Sequence, residues 1–340
     1  MDISKRKKVI LAKIIALHTE SGDPVGSKIL ANMLEDFSVS SATLRNEMAQ
    51  LTSMGLLEQP HTSAGRVPTE LGYRFFVDNL MDLFEPQSSD KKRISNAVEE
   101  MDSDPDKAAE SAASALARMT GLAAVASTPR SRDATVAHFE LMKVGRYNMA
   151  ILGVTSVGGV KTRMCRLAVE LGSTEIAALE AVLNDHFAFV SKEDISPRLI
   201  ANVNALLDER RGEYTPIISA VVALIGGVRD VRVYTEGQNN LLRFHELDGC
   251  IKELLGLMND TGELERLLSQ SEQIKILVGT ELGNGEFENA AMIIGNYRFS
   301  GGLRGGLGIV GPARMNYGFL VPRLKYMCDC LSHALVNPVN

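Results

Sequence analysis

Over residues 4–19, Val9, Ile10, Ile14 and Leu17 recur three and four positions apart, the spacing of one face of an α-helix. Ser21, Gly22, Asp23 and Pro24 end that pattern, because the proline ring disfavours helical backbone at the residue before it. Ser27 can cap a second helix to about Leu34, with Ile29, Leu30 and Met33 facing inward. After a break at 36–39, Ser40 or Ser41 caps a third helix that reaches Met54 and stops at Gly55. Its apolar positions are Leu44, Met48 and Leu51, while Thr43, Asn46, Gln50 and, slightly around, Arg45 lie on the other side. Residues 56–59 and 66–67 predict two short strands around a small, turn-rich loop at 60–65, with Pro68 ending the second strand. Thr69 can cap a fourth helix to about Phe84, with Leu71, Phe75, Phe76, Leu80 and Leu83 as its apolar surface.

Beyond this, residues 85–106 are polar and hold two prolines, so they read as a linker around one short helical piece. An alanine-rich helix at 107–120 precedes strands at 122–126, 134–144, 147–156 and 161–167, then helices at 174–187 and 197–209. The apolar stretch 215–224 fits buried helix or strand. A strand at 230–235 and a turn at 237–240 follow, then helices at 247–258 and 264–270, strands at 274–278, 290–297 and 306–310, and a helix at 317–331. The expected architecture is multidomain α+β: a helix-turn-helix unit with a hairpin at 1–84, a linker at 85–106, an α+β domain in two parts at 107–204 and 273–340, and helical material set between them at 205–272.

Three short helices followed by a hairpin suit a winged helix-turn-helix, in which one helix enters the DNA major groove and the hairpin touches the backbone. The formal net charge of −6 excludes a chain coated in positive potential. Residues 1–78 hold nine Lys or Arg and nine Asp or Glu, so the argument for DNA rests on placement. Lys5, Arg6, Lys7 and Lys8 crowd the beginning of the chain, and Arg45 and Arg66 stand beside the proposed contact elements. So modest a footprint makes a monomer a weak binder and gives dimerisation a role. Four cysteines fit a reducing compartment, and no apolar run reaches the roughly 18–20 residues of a membrane span, so a soluble, cytoplasmic protein without membrane contact is expected.

On the third helix, Arg45 can reach a phosphate or a guanine edge, or pair with a nearby acid. Asn46 and Gln50, four apart, can read adjacent bases or face solvent; Thr43 can meet a phosphate or a thymine methyl. Ser41, like Ser40, can cap the helix and leave its first N–H groups for phosphate. In the loop, His61, Thr62 and Ser63 can touch the DNA backbone or order the turn, and Gly65 allows a tight turn. Arg66 can enter the minor groove or pair with phosphate.

The run from Ser40 to Asp78, with its RNEM helix segment followed by EQPHTSAGRVP and GYRFFVD, resembles the HrcA family of bacterial heat-inducible transcription repressors. Tyr234, Gly237, Asn240, Leu241 and Leu242, and the segment GIVGPARMNY at 308–317, resemble two further segments of that family; Ala313 departs from its more frequent threonine. The resemblance implies a homodimeric repressor that binds an inverted-repeat operator in double-stranded DNA before chaperone genes and is kept active by the GroEL-type chaperonin. It also implies a winged helix, a GAF-like domain and a dimerising domain inserted into the latter. Thr43, Arg45 and Asn46 on the recognition helix, and His61, Thr62, Ser63 and Arg66 in the wing, are carried over as contacts. A regulator controlled by a metabolite in the GAF-like domain is the alternative.

Enzymatic chemistry finds little support. Residues 306–311 satisfy G-x-G-x-x-G, but Pro312 follows at once, and a tight turn with strand packing is the simpler reading. Arg304 and Arg314 read as solvated or structural. The six histidines show no metal spacing, and the Cys328 and Cys330 pair has no second pair to complete a zinc cage. No enzyme activity and no cofactor are expected.

Overall fold

In the computed structural model, residues 3–34, 40–62, 64–102, 104–129, 134–156, 159–207, 211–228, 230–270, 274–283, 287–299 and 303–336 are described. The break expected at 36–39 and the candidate Ser63 lie outside them.

The first unit is three helices and a hairpin. Helix α1 (Lys5–Ser21) is capped by the Ser4 hydroxyl and closed by Gly22 in the left-handed region, and it buries Ile10, Leu11, Ile14 and Ile15. Helix α2 (Ser27–Asn32) is only six residues long and turns Leu30 inward. Ile29 and Met33, expected inside, are about half exposed, because one and a half turns present a single inward position. Helix α3 (Ser41–Ser53) takes Ser40 as its cap and buries Leu44, Met48 and Leu51. Strands β1 (Leu57–Glu58) and β2 (Val67–Pro68) pair antiparallel, so Pro68 belongs to the ladder opposite Leu57 instead of ending it. Helix α4 (Glu70–Asn79) stops short of the expected end; Leu71, Leu83 and Phe84 are exposed and Tyr73 and Phe75 fill the inner face.

The stretch expected as a linker is structural. Helix α5 (Ser88–Glu99) buries Ile94 and Val98, and Asp90 pairs with Arg323 of the terminal helix. Its apolar positions sit four apart in an otherwise polar sequence, too thin a signal to reveal a packed helix.

Helix α6 (Pro105–Thr120) leads into a five-stranded antiparallel sheet of order β7-β3-β10-β9-β8, built from β3 (Ala123–Ser127), β7 (Val233–Glu236), β8 (Lys275–Val278), β9 (Ala290–Arg298) and β10 (Arg304–Pro312). Alternation along β9 sends Ala291 and Ile293 to one core and Met292 and Ile294 to the other. The first core is shared with α6, with helix α12 (Tyr317–Val336) and with the winged-helix unit. The second lies beneath helices α10 (Ile251–Asn259) and α11 (Thr261–Leu268).

Residues 306–311 are part of β10, and their glycines answer to packing. A Cβ on Gly306 would stand 2.6 Å from Leu268, and one on Gly308 2.7 Å from Met292. No phosphate loop is formed there.

Between β3 and β7 the chain makes an excursion with its own core. Strands β4 (Val136–Lys143), β5 (Asn148–Thr155) and β6 (Val160–Arg166) form a second antiparallel sheet, covered by helices α7 (Ser173–Phe187), α8 (Pro197–Leu206) and α9 (Arg211–Gly226). The two strands of its neck are bonded, Thr128 N–H to Arg232 O at 2.8 Å and Arg232 N–H to Thr128 Oγ1 at 2.9 Å. The described residues from Ala134 to Val228 share this separate core, where the sequence pattern placed helical material at 205–272. Helices α10 and α11, expected within it, cover the main sheet and bury Leu254 and Leu257. Strand adjacency decides which segment is the excursion, and pairing between residues about a hundred positions apart leaves no local pattern.

Candidate nucleic-acid interface

Helices α2 and α3 are joined through hydroxyl groups at their N-terminal ends: Ser27 Oγ and Ser41 Oγ are 3.3 Å apart. Ser41 thus ties the two helices together, while Ser40 accepts from Thr43 N–H at 3.2 Å and lies 3.0 Å from Thr43 Oγ1. Arg45, Asn46 and Gln50 are exposed on the outer side of α3. Of these, Arg45 has no hydrogen-bond or ion-pair partner among the described residues.

The inner side of α3 has a feature sequence reading missed. Glu47 is 6% exposed and forms ion pairs with Arg6 Nε at 2.9 Å and Lys7 Nζ at 3.0 Å. Two members of the basic cluster expected to face DNA or solvent are thereby committed to α3. The alternation of Leu44, Glu47, Met48 and Leu51 on one face was the available signal, since a carboxylate among core positions needs a cation.

The wing is pinned at its base. Val25 and Arg66 exchange both backbone hydrogen bonds, each 2.9 Å, and so add a third short segment beside β2. Gly65 is required by close approach more than by turning: a Cβ there would lie 2.4 Å from the Val25 carbonyl. The Gln59 carboxamide, another residue not singled out in advance, donates to Thr62 O at 2.9 Å and Ala64 O at 3.1 Å and closes the loop. His61 and Thr62 are exposed at its outer end.

Arg66 is placed differently from a free wing arginine. It is half-buried, its Nε donates to Thr52 Oγ1 of α3 at 3.0 Å, and its Nη1 donates to Gly65 O at 3.4 Å. Between α2, α3 and the wing runs a groove of about 580 Å³ whose walls include Lys28, Ile29, Arg45, Gln59, Thr62 and Arg66.

The unit is held to the main sheet by polar ties. Glu70 accepts from Thr280 N–H at 3.0 Å and Thr280 Oγ1 at 2.5 Å. Arg74 donates to Ile276 O at 2.8 Å and reaches Glu281 at 3.0 Å. Arg314 pairs with Glu246 and donates to Thr19 O at 3.0 Å, which makes it a structural arginine. Among the described residues no group of His, Cys, Asp and Glu is placed to hold a metal ion, and no helix is long and apolar enough to cross a membrane.

Two family models match the chain. One, a winged helix-turn-helix transcription repressor, HrcA DNA-binding, covers residues 2–81; the other, the HrcA protein C-terminal domain, covers 106–321. The chain belongs to the HrcA family. HrcA is a family of transcription repressors, not of enzymes, and residues 2–81 are its DNA-binding domain. Similar relatives named heat-inducible transcription repressor HrcA are found in Thermoanaerobacter pseudethanolicus, at 31% identity over 100% of this chain and 99% of the relative, and in Desulforudis audaxviator, at 31% over 98% of each. The relative from Clostridium perfringens strain ATCC 13124 is 28% identical over 98% of this chain and 99% of its own length. A crystal structure of a hypothetical protein superposes with a TM-score of 0.67 at 25% identity, covering 98% of this chain and 99% of that one.

Proposed function

We propose that this HrcA-family protein is a cytoplasmic repressor of heat-shock chaperone operons that binds an inverted-repeat operator as a homodimer. Arg45, Asn46 and Gln50 read base edges in the major groove, Ser41 and Thr43 set the entry of α3, and His61, Thr62 and Ser63 meet the backbone from the wing. The observation that carries this reading is the outer side of α3: its base-reading side chains are exposed, while Glu47 anchors its inner side to α1. The GroEL-type chaperonin sustains activity by keeping the native fraction high, so that heat, by unfolding the chain, removes both the reading helix and its paired geometry. The five-stranded unit is taken as the GAF-like domain.

The homodimer is supported by the free face of the inserted sheet. One side of β4, β5 and β6 packs Phe139, Leu141, Met149 and Ile151 under its helices. The other side aligns Met142, Ala150 and Met164 in one cross-strand row, and Val154 and Val160 in another. Met142, Val154, Val160 and Met164 are 40–56% exposed, an apolar surface that water disfavours. A twofold axis parallel to β5 sets Met142 of one subunit against Met164 of the partner subunit, as a self-complementary interface requires.

The test is binding of the purified chain to an inverted-repeat promoter duplex and to a scrambled repeat at one salt concentration, with and without chaperonin, beside an Arg45→Ala variant. Selective binding, weakened by the substitution and strengthened by chaperonin, is the expected result. Equal binding to both duplexes overturns operator recognition, and indifference to chaperonin overturns that mode of control.

A further inference from the structure

Residues 1–78 contain nine lysines and arginines, and the fold commits several of them to itself. Arg6 and Lys7 are taken by Glu47, Arg74 by Asp78 and Glu281, and Arg66 by Thr52 and the Gly65 carbonyl. Lys28 and Arg45 are different. Both are exposed, neither has a hydrogen-bond or ion-pair partner among the described residues, and both line the groove between α2, α3 and the wing.

We infer that Lys28 is a DNA-backbone contact that neutralises one operator phosphate in this groove, and that Arg66 is a positioning residue that holds the wing on α3. This rests on the operator-binding reading above. When the second helix of a helix-turn-helix enters the major groove, the first crosses the sugar–phosphate backbone. Lys28 is the second residue of α2 and shares a groove with Arg45 of the reading helix, so it stands where the strand passes. A flexible ammonium is suited to a phosphate, which asks for charge and not for a fixed fork of donors. No described residue pairs with its charge, so pairing with phosphate breaks no ion pair among them.

Arg66 has the opposite character. Its backbone is locked to Val25 and its Nε to Thr52, so Arg66 joins three separate segments through backbone and side chain together: the chain after α1, α3 and the wing. Freeing it to enter a groove of DNA would undo the bond that sets the wing's angle to α3. The fold thereby exchanges the roles that sequence pattern suggests, since Lys28 carries no motif and Arg66 lies in the long matched run.

The experiment measures affinity of the full chain for the inverted-repeat duplex between about 50 and about 200 mM salt, where the slope of log affinity on log salt counts neutralised phosphates. Lys28→Gln lowers that slope by about 0.9 for each bound subunit, with the melting temperature unchanged, and Lys28→Arg restores it. Arg66→Lys, which keeps the charge but loses the Nε bond to Thr52, weakens binding at every salt concentration with an unchanged slope. Thr52→Val, which removes the acceptor without touching a charge, reproduces that effect. An unchanged slope in Lys28→Gln, or wild-type affinity in Arg66→Lys with a lowered slope in Arg66→Gln, overturns the assignment while leaving operator binding intact. Failure of the wild-type chain to prefer the repeat overturns the repressor reading and this assignment together.

Discussion

Lys7 Nζ lies 3.0 Å from Glu47 Oε2, and this contact joins the first helix to the inner side of α3. The Lys7 side chain is 15% exposed and Glu47 8%, whereas Arg6, on the other carboxylate oxygen, is 54% exposed. The three groups are therefore unequal. Removing the shared carboxylate strands a largely buried ammonium, a loss on the order of 3 kcal/mol. Glu47→Ala is expected to lower urea-unfolding stability by about that amount, while Arg6→Ala, at the solvent-screened end, costs less than about 1 kcal/mol. Equal effects of the two substitutions would refute the asymmetry.

Gly65→Ala puts a methyl group 2.4 Å from the Val25 carbonyl, where backbone must move to admit it. The expected result is a loss of roughly 1–3 kcal/mol and a wing displaced from α3. Operator affinity should fall even at temperatures where the variant is fully folded by circular dichroism. Wild-type affinity in the folded variant would show that the wing's seat on Val25 does not matter to binding.

His18 lies at the end of α1, where its Nδ1 is 3.1 Å from Asp23 O. Burial chiefly lowers its pKa, with the nearby Arg314 acting in the same direction and the Asp23 carbonyl against it. The folded chain therefore binds fewer protons than the unfolded one just below the ordinary histidine value of about 6.5. His18 contributes stability that is complete above that pH and is lost as pH falls toward its depressed native value. His18→Asn, whose carboxamide nitrogen stands one bond from Cγ as Nδ1 does, keeps a donor for Asp23 O and should flatten this part of the stability–pH curve. A curve identical to wild type would rule out His18 as the source.

Glu70 and Arg74 tie α4 to the segment at 276–281 through four contacts. Glu70→Ala with Arg74→Ala should expose the junction between the winged helix and the main sheet to faster hydrogen exchange and to proteolytic cleavage, while the inserted sheet keeps its protection. Uniform loss of protection throughout the chain would mean global destabilisation and not release of this junction.

Met164→Asp places a charge on the edge strand β6, on the free face of the inserted sheet. If the proposed homodimer forms through this face, sedimentation should shift from dimer to monomer, with little change in melting of the isolated subunit and a large loss of operator affinity. A dimer that survives this change and Met142→Asp would place the subunit interface elsewhere.

Helix α3 was legible because Leu44, Met48 and Leu51 obey the helical period and Ser40 supplies a cap, both of which are local facts. Strands β3–β5 and β8–β10 were legible from local pattern, as apolar or alternating runs bounded by turn residues, and β6 from the Gly158-Gly159 turn signal before it. A short helical piece was legible at α5 but its packing was not, because Ile94, Ala97 and Val98 among twelve residues give no visible stripe, and its burial depends on α12 more than two hundred residues away. Nor were the limits of the inserted unit, which follow from β3 and β7 being neighbours across the neck at Thr128 and Arg232.

By itself, then, the order of residues determined the helix-turn-helix, the wing and the family, since each depends on neighbours a few positions apart. The tertiary structure alone decided which cations remain free to meet a phosphate. Charge is a property of composition, but its availability depends on distant partners: Glu47 removes Arg6 and Lys7, Thr52 engages Arg66, and Lys28 is left exposed beside Arg45.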